Sequence, residues 1–304
     1  MTGAARGLRG RDLALVLLVC LFWAANFLTS AHALREIPPF LFTALRMAML
    51  AAMLAWFVKP PPRGQWPLLA AVALVNGALH FGTSFLALRM AGNLSSPAIV
   101  MQSYVPMAAL LAWWWLGERF AWRTGLAIAL SFAGVLVLGF DPMVLAAPAA
   151  LAVMLVSSLL LAIGTVLMRR LRGVDMASQQ GWTAIIALLP LLAISAAFEP
   201  GGFAQLREAT WIGWGGALYA AVFASLLGHG VFYMLVQRHP VAQVTPYLLI
   251  TPVFAVALGI AFWGDRPGPA MWIGGAMVLG GVLAIALRTQ RKARTPVNDA
   301  SPAA

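Results

Sequence analysis

This 304-residue chain is poor in charge, and above all in acid: 10% of its residues are charged, nine are Asp or Glu, and 62% are apolar. Soluble domains carry about 25% charged residues, so a water-soluble globular fold is excluded, and a mean hydropathy of +0.87 suits a bilayer. Cysteine is nearly absent. Cys20 stands alone within an apolar run, which excludes an internal disulfide. Missing too are HExxH, paired intramembrane aspartates and any Cys/His metal spacing, so no metal or other cofactor is expected. "GTS" at Gly82–Ser84, set beside His229, lacks the second glycine of a nucleophile turn. No enzymatic activity is expected and no catalytic residue is assigned. The chain also lacks rings of charge, a voltage-sensing arginine series and an appended signalling domain, which argues against a channel or a sensor.

What charge there is has one sign in excess, +11 at neutral pH. With no soluble basic domain to hold nucleic acid, the excess is read as the Lys/Arg enrichment of cytoplasmic loops. The first residues (Arg6, Arg9, Arg11, an apolar run from Leu13, then "AHA" at Ala31–Ala33) imitate a secretory signal. The run is too long for a signal core and continues into a second span, so it is expected to be retained.

About 20 apolar residues are needed to cross a hydrocarbon core of roughly 30 Å. On that criterion ten helices are expected, at 12–34, 39–58, 66–89, 94–116, 121–140, 145–169, 177–197, 211–236, 241–263 and 268–287, separated by breaks such as "KPPPRG" and "GFDP". The loop charges agree. Fifteen basic residues fall on the side of the N-terminus, four (Arg35, Arg89, Arg207, Arg266) on the other, and Arg46 alone lies within a span. Both termini are therefore expected in the cytoplasm.

The two halves resemble each other. "SSPAIVMQSYVPMAALLAWWWLGER" (Ser95–Arg119) parallels "AQVTPYLLITPVFAVALGIAFWGDR" (Ala242–Arg266), with Pro106 matching Pro252 and Glu118 matching Asp265. Five helices per repeat require the second to enter the membrane inverted, an arrangement that places a substrate site near the midplane between the halves. The expected fold is thus an all-α integral membrane protein of ten helices in two inverted five-helix repeats around a central cavity. The repeats are placed at 12–140 and 145–287, followed by a basic, disordered cytoplasmic tail over 288–304. Small residues recur every four positions at Gly125, Ala129 and Ala133, and at Ala276, Gly280 and Ala284. That spacing serves close packing within the chain or a homodimer contact.

"LFWAANF" in the first helix, "PPFLFTALRMAM" in the second and the paired "P…LGER" and "P…WGDR" segments are similar to those of EamA-type proteins of the drug/metabolite transporter superfamily. The resemblance covers residues 12–287. It implies a bacterial inner-membrane protein that exports amino acids, related metabolites or drug-like compounds by alternating access. Import or metabolite exchange stays open as an alternative. Relatives in the small multidrug group couple through an intramembrane glutamate, whereas this chain has no carboxylate deep in any span.

Polar side chains inside a span are costly and face the protein interior or water. Asn76, His80 and Thr83 recur at i, i+4 and i+7 on one face of the third helix, and His229 lies in the eighth, where the repeat aligns it with Thr83. Trp23, Asn26 and Ser30 share a face of the first helix; Gln102 stands one turn before Pro106, and Tyr247 neighbours Thr245 and Pro252. Asn76, His80, Thr83, His229, Trp23, Asn26, Gln102 and Tyr247 form the expected substrate-contacting set, each also able simply to hydrogen-bond a neighbouring helix. Arg46 is read either as a carboxylate receptor or as a tether from the second helix to backbone carbonyls or Glu36. A small-molecule substrate and membrane lipid are the expected partners.

Overall fold

The structure, a computed structural model, describes residues 10–239 and 241–294, and these contain helices and no strand. Ten principal helices run in chain order: α1 Arg11–Ala33, α2 Pro39–Leu54, α3 Trp66–Ala91, α4 Ser95–Leu116, α5 Trp122–Leu138, α6 Pro148–Met168, α7 Met176–Phe198, α8 Trp211–Arg238, α9 Thr245–Trp263 and α10 Pro269–Arg294. Eight are long and apolar enough to cross a membrane. The other two, α2 and α5, have 16 and 17 residues, and at 1.5 Å per residue they reach about 24 and 26 Å, short of a full core. The helix α10 continues to Arg294, seven residues past the expected boundary at 287. The remainder of the expected tail, 295–304, lies outside the described residues.

The helices are apolar on all sides, as membrane helices should be. Leu136, Leu189, Phe262 and Trp114 each stand more than 65% exposed on the outer surface, while Phe42, Leu34, Ile37, Leu41, Phe85 and Leu94 close one end of the interior. Where α5 and α10 cross, glycines set the distance. A Cβ on Gly134 would fall 2.7 Å from the Gly274 carbonyl oxygen, and one on Gly281 would fall 2.6 Å from that of Ala127. This crossing uses a neighbouring stripe and not the expected one: nothing lies within 4 Å of a Cβ on Gly280, and Ala129 and Ala276 are exposed.

Several helices depart from α geometry. In α4, Pro106 has no N–H for the Gln102 carbonyl; Val105 N donates to it instead at 3.1 Å, and the helix tightens over Gln102 and Ser103. In α3, α8 and α9 the departure is a π-helical stretch, over Ala73–His80, Ala220–His229 and Gly259–Trp263. The first two end on a histidine.

One end of the bundle is fastened by four acidic side chains, each accepting hydrogen bonds from the first turn of a helix in the other half of the sequence. Glu36 accepts from Thr210 N and Oγ1, both at 2.8 Å, and from Gly213 N at 3.1 Å, at the start of α8. Glu199 accepts from Phe40 N and Leu41 N at 2.8 and 3.0 Å, at the start of α2. Asp265 accepts from Leu94 N, Ser95 N and Ser95 Oγ ahead of α4, and Asp141 from Met271 N in α10. A carboxylate satisfies helix-start N–H groups that have no intrahelical acceptor and meets the positive end of the helix dipole. The opposite end is tied by more exposed contacts: Arg169 with Glu118 at 2.5 Å, and Asp12 with His239 at 2.9 Å.

Candidate functional site

Arg46 of α2 touches both halves: Ser225 of the α8 π stretch accepts from its guanidinium, and Phe81, the residue after the α3 π stretch, lies over it. Each histidine uses its Nδ1 on backbone or hydroxyl groups around its stretch. His229 Nδ1 reaches the carbonyl oxygens of Ala224 at 3.0 Å and Ser225 at 3.2 Å in its own helix. His80 Nδ1 reaches the Ser157 carbonyl at 3.0 Å and its Oγ at 2.9 Å in α6, while Ser157 Oγ donates to the His80 carbonyl at 2.9 Å. Carbonyls only accept, so in the neutral ring Nδ1 of each histidine carries the proton and Nε2 keeps its lone pair. Trp23 donates Nε1–H to the Ala224 carbonyl at 3.0 Å and lies 5.2 Å from the His229 ring, centroid to centroid.

Arg46 is 2% exposed. Its Nε and Nη2 donate to Ser225 Oγ at 3.0 and 2.8 Å, and that hydroxyl donates onward to the Ala220 carbonyl at 2.8 Å. The Phe81 ring covers the guanidinium, 4.0 Å from its central carbon to the ring centroid, with Phe85 at 5.7 Å. Nη1 is buried without a hydrogen-bond partner, and among the described residues no carboxylate pairs with Arg46. The tether to Glu36 does not form, because Glu36 is occupied by Thr210 and Gly213.

The structure gathers some of the expected residues and disperses others. Trp23 lies against His229, and His80 lies against Phe81, the ring that covers Arg46. Asn76 faces α6 with His80, against Gly164, where no Cβ would fit, and its Oδ1 is buried without a donor. Thr83 turns its hydroxyl back to the Leu79 and His80 carbonyls of its own helix. Asn26 accepts from Ser30 within α1. Gln102 sits half-buried at the break in α4. Tyr247 packs with Val16, Leu235 and Val244 where α9 begins, and its carbonyl accepts from Cys20 Sγ at 3.4 Å. His80 and His229 are the last residues of their π stretches, which have 8 and 10 residues. Ser225 and Ser157, which anchor Arg46 and His80, carry no signal in the sequence, since serine is common in membrane helices.

Residues 11–140 and 148–287 each match the EamA-like transporter family. The chain belongs to that family and is a multi-pass membrane transporter. It is 26% identical to an uncharacterized transporter of Synechocystis sp., over 89% of this chain and 88% of that one. It is 25% identical to a probable amino-acid metabolite efflux pump of Escherichia coli, over 90% and 93% of the two chains. With a probable terminal-alkyne amino-acid exporter of Streptantibioticus cattleyicolor it shares 30% identity over 62% of this chain and 64% of that one. A crystal structure of a protein 19% identical in sequence, covering 95% of this chain and 100% of that one, shares the fold at a TM-score of 0.60.

Proposed function

We propose that the protein is a bacterial inner-membrane exporter of amino acids or related small metabolites, working by alternating access. The observation that carries this reading is a buried arginine without an acidic partner among the described residues, held between Ser225 of one family-matched half and Phe81 of the other, at or beside their π stretches. π stretches recur at functional sites because they free backbone groups and re-aim side chains. A buried cation can receive a carboxylate and an imidazole lone pair can accept from an ammonium, the two ends of a zwitterion. Two relatives bear names that specify amino-acid compounds as their cargo.

In this reading all ten helices cross the membrane as two inverted repeats over 12–140 and 145–287, and 288–304 is a cytoplasmic tail. The short helices α2 and α5 cross with help from their flanking residues. Both termini lie in the cytoplasm, as the fifteen-to-four division of basic residues supports. His80, His229 and Trp23 form the centre of the route; Asn76, Thr83, Asn26, Gln102 and Tyr247 line its approaches. Counterflow in proteoliposomes with a panel of labelled amino acids tests the function. At least one panel member should exchange in a protein-dependent way, and a panel with no exchange overturns the proposal.

A further inference from the structure

Arginine is a costly residue to bury. An ionised side chain removed from water is tolerated when it is paired and fully hydrogen-bonded. Arg46 meets neither condition among the described residues: it is 2% exposed, has no acidic partner, and leaves Nη1 unbonded.

The geometry of what it does bond is informative. A guanidinium has five N–H groups arranged as forks. Ser225 Oγ occupies the fork formed by Nε and Nη2, and with its own proton given to the Ala220 carbonyl it has no capacity left for a third donor. The flat face is covered by Phe81. What stays unused is the end-on fork, in which an N–H of Nη1 runs parallel to one of Nη2. That fork matches the two oxygens of a carboxylate. Residues from α2, α3 and α8 hold it in place, so it is oriented before any ligand arrives.

We propose that Arg46 is the specificity-determining residue for the substrate's carboxylate, received bidentately on the Nη1–Nη2 fork, and that the protein therefore selects acids over otherwise identical neutral amides. This assignment rests on the functional reading above and narrows it to substrates that bear a carboxylate. The chain supplies the positive charge and a preformed fork; the substrate supplies the missing acceptor.

The experiment compares counterflow of labelled amino acids with that of their primary amides and of the amines left when the carboxylate is removed, in wild type, Arg46→Gln, Arg46→Lys and Ser225→Ala. Wild type should favour each transported acid over its amide by at least about tenfold in KM, a lower bound for a site whose buried charged donor is otherwise left unpaired. Arg46→Gln should lose that preference, raising the KM of the acid severalfold more than that of the amide. Arg46→Lys, which keeps charge without a fork, should fall between. Ser225→Ala, which keeps Arg46 but releases its anchor, should raise the KM of the acid severalfold and leave that of the amide unchanged. The comparison in wild type alone remains decisive if Arg46 variants fail to insert. Acids and amides handled alike by wild type, or a preference intact in Arg46→Gln, overturns the role of Arg46 and leaves amino-acid transport standing. Exchange of no panel member removes the functional reading and this assignment together.

Discussion

A histidine on a carbonyl and a histidine free to titrate are different chemical tools, and His80 is the first kind. Its Nδ1 is tied to Ser157 and it is 3% exposed. Glutamine keeps one donor and one acceptor, whereas alanine keeps neither. In the proposed route His80 Nε2 accepts from the substrate; losing one such hydrogen bond costs about 1–2 kcal/mol, so His80→Ala should slow counterflow by roughly 5- to 30-fold. His80→Gln should retain more of the rate, with both variants reaching the membrane in normal amounts. Wild-type rates in both would remove His80 from the route. At this scale the sequence was informative about identity and weak about partners. A histidine in a lipid-facing run is conspicuous, as is the lone intramembrane Arg46. Their anchors Ser157 and Ser225 lie in other helices, and nothing in the local sequence announces which serine meets which cation.

At the scale of the element, the apolar runs give the positions of the helices to within a few residues, because hydrophobic length is written directly in the sequence. The internal geometry is not. The stripe Asn76, His80, Thr83 assumes 3.6 residues per turn, but Ala73–His80 is π-helical, and the wider turn changes which residues share a face. Thr83 consequently bonds its own helix while Asn76 and His80 face α6. The small-residue stripe illustrates the same limit, since helical spacing shows that a stripe exists but not which neighbouring stripe is packed. Two glycines in α10 separate the cases. Gly274→Ala places a methyl against the Gly134 backbone, 2.5 Å from its carbonyl oxygen, and should lower stability by about 1–3 kcal/mol. Gly280→Ala meets open space and should be neutral or stabilise by about 0.5–1 kcal/mol through helix propensity. Thermal unfolding in detergent checks both, and equal shifts would contradict the α5–α10 crossing.

At the scale of the molecule, orientation follows from charge in the loops. A reporter active only in the periplasm, fused after Leu287, should be silent, and one active only in the cytoplasm should work at the same position. The reverse result would invert the topology.

In the proposed alternating-access cycle, the four crossed carboxylates would favour the state closed at their end. Parting the sequence halves there would break each clasp, because each joins a side chain from one half of the sequence to a helix of the other. A charged hydrogen bond of this kind stabilises by about 1.5–3 kcal/mol, so loss of one should shift the balance toward the form open at that end by roughly 10- to 150-fold. Ambient acid does not release the Glu36 clasp. Partial burial pushes its carboxyl up, but the hydrogen bonds from Thr210 and Gly213 outweigh that and hold it below the usual carboxylate range. Its contribution is complete above the ordinary carboxylate pKa, near 4.5, and is lost only as pH falls through the lower folded value. Reactivity of a cysteine introduced at Ala217, beneath the clasp and fully buried, with an impermeant thiol reagent in a Cys20→Ser background, divided at each pH by that of the same cysteine in denatured protein to remove the thiolate fraction, should be flat from pH 7.5 to 5.5. It should rise at least tenfold in Glu36→Gln at either pH. Unchanged reactivity in Glu36→Gln would mean that the clasp does not set the balance.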